Sequence, residues 1–351
     1  MKTLDSIAWN VTEAEYREDK ALSYSTLARF QREGFHKIPQ LFDKVESPSL
    51  TFGSAVDAII TGGQEEFNER FIVTNTSLDA ETASVVKAIY DTFKDQYDQF
   101  VAIPIPQVSQ IAKQNGFWPA DKWADNARYN GLMKKGDIEK YYQLLRQSED
   151  KSVISNETYQ EVIACVSALR TAEATRFYFA ENEPNHPIQR YYQLKMKSTF
   201  NGIEYRCMYD CLLLDYANKK IYPIDLKTSG HPEDEFPKSF ITWSYAIQAR
   251  LYYRILKDNL LHDDFFKDFE IEDYTFIVVN KQTLTPLTWR FKDTKTEGRL
   301  FYGKNKQIIL KDPFELGEEL NQYLNHPEYK VPIGINLDKT NDIVQYLNEL
   351  E

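Results

Sequence analysis

The stretch between residues 187 and 229 constrains the fold more than any other part of the chain. It reads PIQRYYQLKMKSTFNGIEYRCMYDCLLLDYANKKIYPIDLKTS, and its apolar and polar side chains largely alternate with the period of two that is typical of β-strands. The alternation breaks near Asn201-Gly202 and near Ala217-Asn218, which are residue types that favour tight turns. The sequence therefore predicts three consecutive strands joined by hairpin turns.

Helical patterns flank these strands. The residues that precede them read mainly as helices over 12–45 and 81–180, and Ser23 and Ser25 are candidate N-caps. After them we predict a helix over 239–259, a second strand pair within 274–291, and a return to helix near the C-terminus. This order predicts an α/β or α+β core with a helical N-terminal elaboration.

Composition and charge exclude several classes of protein. Apolar residues make up 42% and charged residues 27%, as in ordinary globular proteins, and no apolar run approaches the length of a membrane span. The acidic N-terminus is unlike a signal peptide, so we expect a cytoplasmic protein without a membrane association. A net charge of −11 argues against coating nucleic acid by bulk electrostatics, but it permits a local basic groove and fits a need for divalent cations.

The cysteines argue against a disulfide framework or a metal centre built on thiolates. The chain has three, Cys165, Cys207 and Cys211, without a second pair of thiols or a nearby histidine. Cys207 and Cys211 are both odd-numbered in one predicted strand, so we expect them on one face of the sheet. We expect buried free thiols.

Acidic and basic side chains meet in the second predicted hairpin. Asp225 and Lys227 share one face of their strand, and a turn centred on Ala217-Asn218 would set Asp210 directly opposite Asp225. Opposed carboxylates repel each other and need a cation, which Lys227 partly supplies and a divalent metal supplies better. A structural salt bridge is the alternative, and a turn shifted by one residue would pair Asp210 with Lys227.

Two other polar residues interrupt apolar helical patterns. Gln248 lies on the same stripe as Ile241, Tyr245 and Tyr252, where an inward amide needs a hydrogen-bond partner. Asp57 interrupts the apolar run FGSAVDAIITG. Either residue could serve a structural role, but both are candidates for contact with the acid pair.

The order of these segments resembles the PD-(D/E)XK nucleases, and more closely their RecB-like and exonuclease VIII (RecE)-like branch of phages and prophages. The resemblance runs through LSYSTLARF, LTFGSAVDAII, YRCMYDCLLLD, YPIDLKTS, YAIQARLYY and YTFIVVNKQ, and so spans most of the chain. It implies a restriction-endonuclease-like fold, with a mixed central sheet flanked by helices. It further implies one nuclease domain over 1–351, with a helical insertion at about 81–180 and the catalytic core at about 186–292.

The resemblance also implies roles for individual residues. Asp210 matches the first core acid, Asp225 and Lys227 match the D-x-K element, and Gln248 matches the glutamine of the following helix. Asp57 stands where this branch has a histidine, which leaves open whether it binds metal or marks reduced activity. The expected cofactor is Mg²⁺ or Mn²⁺, held by Asp210, Asp225, the Leu226 carbonyl and Asp57.

The implied activity is hydrolysis of linear double-stranded DNA, with 5′-to-3′ polarity, in phage recombination or DNA processing. The basic residues that we expect to contact DNA are Arg190, Lys195, Lys197, Lys122 and Arg128. A single-strand annealing recombinase is a candidate partner, and self-association is expected from similar exonucleases. The alternatives are a catalytically weakened DNA-binding or scaffold member of the same fold and a structural phage protein.

Overall fold

A computed structural model describes residues 2–326, except residues 44, 46, 76, 77, 149 and 150. The α-helices are α1 Glu13–Glu18, α2 Tyr24–Glu33, α3 Pro48–Arg70, α4 Ala80–Phe93, α5 Ile105–Gln114, α6 Asp125–Met133, α7 Ile138–Gln147, α8 Asn156–Thr171, α9 Phe236–Thr242, α10 Tyr245–Leu261 and α11 Pro313–Asn325. The strands are β1 Phe71–Thr74, β2 Ser152–Ser155, β3 Ile188–Phe200, β4 Ile203–Asp215, β5 Lys220–Ser229, β6 Glu270–Ile271, β7 Tyr274–Asn280, β8 Leu287–Phe291, β9 Leu300–Tyr302 and β10 Ile308–Leu310.

The main sheet is mixed and has the order β3-β4-β5-β7-β8, with β6 paired to β5. The β5–β7 pairing is parallel, and the β3–β4, β4–β5 and β7–β8 pairings are antiparallel. The first hairpin turns at Asn201-Gly202, where both residues have positive φ, and the second turns between Asp215 and Lys220. Both predicted turns are therefore confirmed.

Helices cover both faces of this sheet. On one face, α2, α10 and α11 pack against apolar side chains that include Leu212, Leu214 and Phe276. On the other face, α3 and α8 pack against Cys211 and Leu213. The α/β fold with a mixed central sheet between helical layers is confirmed.

The helices α4 to α7 form a separate hydrophobic cluster around residues such as Val86, Ile89, Phe100 and Tyr142. The parallel pair β1–β2 brings the two ends of this helical segment together. Helix α8 lies within the range predicted for the helical insertion, but it packs with α3 against the main sheet.

The single helix predicted over 239–259 is wrong. The chain forms α9 and α10 instead, and the break falls at Ser244, whose φ of 58° is in the left-handed region. The break leaves Ile241 on α9, where it is exposed rather than on the buried stripe of Gln248. The hydrophobic pattern does not indicate a left-handed backbone at a serine. The helical spacing of apolar residues therefore continues across the junction and predicts one helix instead of two.

The two strand cysteines lie on opposite faces, so the expectation that they share a face is wrong. Cys207 packs with the α10 layer and Cys211 with the α3 layer. The alternation slips between them because Gln193, opposite Asp210 on β3, has a left-handed φ of 51° and interrupts the β3–β4 ladder. All three cysteines are free and buried, as predicted. No helix in the described part of the chain combines the length and apolar character of a membrane span.

Candidate active site

The strands β4 and β5 separate part-way along the main sheet. Their ladder ends at Cys211↔Ile224, whereas β5 continues beside β7 as far as Ser229↔Asn280. In the same register Asp210 is the next residue opposite Asp225, as the sequence predicted. Beyond this point the backbone N–H of Leu226 donates to Asp210 Oδ2 at 2.8 Å instead of to a backbone carbonyl of β4. The separation of the strands thus leaves room for both carboxylates.

Asp225 is the most buried group of the site, with 2% of its surface exposed. Gln248 Nε2 on α10 donates to its Oδ1, and Lys227 Nζ lies 2.7 Å from its Oδ2. Although this ammonium is close, Asp225 Oδ2 is buried without a hydrogen-bond partner. The other side-chain atom of Gln248, Oε1, is also buried without a partner. The site thus contains two buried acceptor atoms without a hydrogen-bond donor.

Lys227 is held between this carboxylate and an aromatic ring. Its Nζ lies 4.7 Å from the ring centroid of Tyr245, and its side chain is 20% exposed. Burial alone would lower the pKa of Lys227, but the nearby charges, of which that of Asp225 is the largest and that of Asp210 adds to it, together raise that pKa above its ordinary value. The ammonium therefore keeps its proton at neutral pH.

Helix α3 brings Asp57 to the same region. The helix approaches β5 closely at Gly53, where a Cβ atom would come within 2.9 Å of Thr228 Oγ1. Gln193 Nε2 donates to both carboxylate oxygens of Asp57, at 3.1 Å and 2.9 Å. Sequence reasoning missed Gln193, although the turn at Asn201-Gly202 implies that it lies opposite Asp210.

Burial raises the pKa values of the three acids of the site, and neighbouring carboxylates add to the rise for Asp210 and Asp57. Burial is the main cause for Asp210, whose pKa is well above its ordinary value, and the charges of Asp225 and Asp57 add to the shift. Burial also raises the pKa of Asp225, against the opposing effect of Lys227, and raises that of Asp57 to about 7. With all groups ionised, three carboxylates would face one ammonium, and this excess of negative charge would need a further cation.

Opposed carboxylates and a buried Asp225 Oδ2 that accepts no hydrogen bond, although it is paired with the Lys227 ammonium, fit a hard divalent cation, because Mg²⁺ prefers oxygen donors and is commonly bound through one or two carboxylates and waters. Asp210 and Asp225 supply such a pair. Within the described ranges, however, no group of three or more His, Cys, Asp or Glu side chains is arranged to hold one ion. The pair therefore fits a cation, whereas a shared site that includes Asp57 is not assembled.

Two of the predicted DNA contacts are buried in the fold. The Arg190 guanidinium donates to the carbonyls of Phe177 and Tyr178, and its residue is 7% exposed. Arg128 donates to Ser109 Oγ at 2.6 Å and to the Trp118 carbonyl at 3.1 Å. In this conformation both guanidinium groups fix local structure and do not face a ligand.

The remaining predicted contacts differ in accessibility. The N-terminal segment crosses the strand lysines, since Lys195 Nζ donates to the Val11 carbonyl and Lys197 pairs with Asp19 at 3.0 Å and Glu204 at 3.1 Å. Lys122 is exposed and lies 5.4 Å from the ring of Trp123. The acidic N-terminal segment thus already neutralises Lys197.

No protein-family model and no curated protein matches this chain. Among solved structures it is similar to one described as a "Putative exonuclease" from Eubacterium rectale, at 14% identity and a TM-score of 0.42. The match covers 96% of this chain and 98% of the other. At this level of similarity the match supports no conclusion about the activity of this chain.

Proposed function

We propose that this protein is a divalent-metal-dependent deoxyribonuclease that hydrolyses phosphodiester bonds. One observation carries the proposal: Asp210 and Asp225 face each other where two strands separate, with Lys227 and Gln248 in contact with Asp225. Buried acids with strongly shifted pKa values beside a charged partner are typical of catalytic sites. The resemblance to the PD-(D/E)XK nucleases assigns the same residues.

Asp210 and Asp225 would hold a Mg²⁺ or Mn²⁺ ion, with the Leu226 carbonyl as a further oxygen donor and Asp57 nearby. When bound, such an ion polarises the scissile phosphate and lowers the pKa of a bound water. The protein's own contribution would be the pair of carboxylates that face each other where β4 and β5 separate.

Lys227 is proposed to stabilise the charge that develops on the phosphate during attack by water. A lysine can act as a general base only after it has lost its own proton, and the raised pKa of Lys227 opposes that loss. An ammonium fixed in a partly buried site stabilises an anionic transition state with little reorganisation. Gln248 would hold Asp225 through Nε2 and leave Oε1 free to accept a hydrogen bond from a water or from Lys227.

The finer features of the proposal rest on the resemblance alone. They are a preference for linear double-stranded DNA, 5′-to-3′ polarity, a role in phage or prophage recombination, a single-strand annealing partner and self-association.

A second candidate is a DNA-binding or scaffold protein of the same fold with weakened catalysis. It is favoured by the position of Asp57, which is engaged by Gln193 and does not complete a three-carboxylate site among the described residues.

The test is digestion of linear duplex DNA with Mg²⁺ by the wild type, Lys227→Ala and Asp225→Asn. We expect the wild type to digest the DNA, EDTA to stop it, and both variants to lose activity while retaining a cooperative thermal transition. Lys94→Ala removes a distant surface charge and is expected to retain full activity. Digestion by Lys227→Ala at the wild-type rate would refute the proposed role of the lysine, whereas an inactive wild type that binds DNA would favour the scaffold.

A further inference from the structure

An exposed tryptophan lies two residues before Tyr245, the residue whose ring contacts the Lys227 ammonium. Trp243 occupies the junction between α9 and α10, and 48% of its surface is exposed. Its carbonyl accepts a hydrogen bond from the Tyr24 hydroxyl at 2.8 Å, and Ser244, the next residue, has a left-handed φ of 58°. Left-handed backbone at a non-glycine residue is unfavourable and is concentrated at functional sites. The fold therefore holds a large apolar ring in solvent at a strained junction.

A cation accompanies this ring. The Arg32 guanidinium of α2 lies 5.2 Å from the centroid of the Trp243 ring, and Arg32 is exposed. In the described part of the chain Arg32 forms no ion pair with an acidic side chain, so its charge is available to an anionic ligand.

Two tyrosines connect this pair to Lys227. The rings of Tyr24 and Tyr245 lie 6.1 Å apart, and Tyr245 contacts the Lys227 ammonium. Burial raises the pKa values of both tyrosines, and the charges of Lys227 and Arg32 oppose that rise, so both cations act on the same aromatic pair. The two cations are thus linked by a series of pairwise contacts that runs from Arg32 through Trp243, Tyr24 and Tyr245 to Lys227.

We propose that Arg32 and Trp243 form a subsite for an unpaired nucleotide of the nucleic-acid strand whose phosphate reaches Lys227. Trp243 stacks on the base, and Arg32 contacts the adjoining backbone phosphate. Every base has a π-face, so such a contact tolerates any sequence, and an arginine beside it suits a phosphate. The inference rests on the proposed nuclease function and extends it to a single-stranded segment next to the scissile bond.

Base stacking by Trp243 and phosphate contact by Arg32 predict different changes in the binding of a fluorescein-labelled oligothymidylate. Binding is measured by fluorescence anisotropy in EDTA so that no cleavage occurs. We expect Trp243→Ala to weaken binding by about fivefold or more without a change in the salt dependence. We expect Arg32→Ala to reduce the slope of log K against log salt by about 0.7, as for one lost contact to a single strand. Arg32→Lys retains that slope and Trp243→Phe retains most of the affinity, because each keeps the group that the subsite uses.

Two controls remove similar groups elsewhere. Phe301→Ala removes another half-exposed aromatic ring, and Lys94→Ala removes a cation stacked on Tyr90; both are expected to bind like the wild type. Thermal melting of every variant excludes unfolding as the cause of a loss.

The outcomes separate the subsite from the proposed function. A wild type that binds and digests DNA, with unchanged binding by Trp243→Ala and Arg32→Ala, overturns the subsite and leaves the nuclease proposal intact. Equal losses in the controls, or an unchanged salt slope in Arg32→Ala, also overturn it. A wild type that neither binds the oligonucleotide nor digests DNA overturns both proposals.

Discussion

Replacing Asp57 by asparagine is expected to stabilise the protein above neutral pH. Asp57 is half-buried on α3, and burial is the main cause that raises its pKa to about 7. Arg70 lowers that pKa, whereas Glu66 and Asp225 raise it further. An ionised Asp57 is therefore unfavourable in the folded state, and asparagine removes the charge while keeping an oxygen that can accept a hydrogen bond from Gln193 Nε2.

The sign follows from proton linkage. An unfolded aspartate has a pKa near 3.9, so between about pH 4 and about pH 7 the folded state binds more protons than the unfolded state. The wild type therefore loses stability as the pH rises through this window and does not regain it above. A shift of about three pKa units corresponds to about 4 kcal/mol, and we expect about half of that for a half-buried group bonded to Gln193. For 351 residues the unfolding entropy is about 0.7 kcal/mol per degree, so Tm rises by about 3 °C.

The assay is differential scanning calorimetry of the wild type and Asp57→Asn in EDTA, at about pH 8 and at about pH 4. The exposed acid Asp234 provides the control, because Asp234→Asn changes the net charge equally without removing a buried carboxylate. A stabilisation by Asp57→Asn that appears at the higher pH and vanishes at the lower pH supports the reasoning. Destabilisation at about pH 8, or an equal shift at both pH values, refutes it.

Two other substitutions test how the fold positions the site. Gly53→Ala sets a Cβ atom against Thr228 Oγ1, so it should lower the free energy of unfolding in urea by about 1 kcal/mol or more. Adding Thr228→Ala should restore part of the loss. An unchanged stability of Gly53→Ala would contradict the close packing of α3 on β5. Asp312→Asn leaves the buried guanidinium of Arg250 without its ion-pair partner at 2.8 Å, so it should cost about 3 kcal/mol. An unchanged urea midpoint would show that the carbonyls bonded to Arg250 suffice.

Local sequence signals predicted the strands and turns around the site well. Asn201-Gly202 and Ala217-Asn218 break the alternation where the hairpins turn, and the second turn fixes the register of Asp210 against Asp225. Alternation then sets Asp225 and Lys227 on one face. These features depend on neighbours in sequence, so they can be read from the pattern.

Features that depend on backbone dihedral angles or distant contacts could not be predicted in this way. The left-handed Gln193 and Ser244 change the phase of a strand and break a helix without a glycine to mark them. The short pairs β1–β2 and β9–β10 were missed because three or four residues carry little periodicity. Arg128 and Arg190 look like surface cations in sequence, and only the folded chain supplies the carbonyls that bury them.

A crystal soaked in Mn²⁺ tests the central claim most directly, because anomalous scattering locates the ion without reference to activity. We predict a peak between the carboxylates of Asp210 and Asp225 in the wild type, and its loss in Asp225→Asn. An absence of manganese there, in crystals of a wild-type protein that digests DNA with Mn²⁺ in solution, would contradict the account.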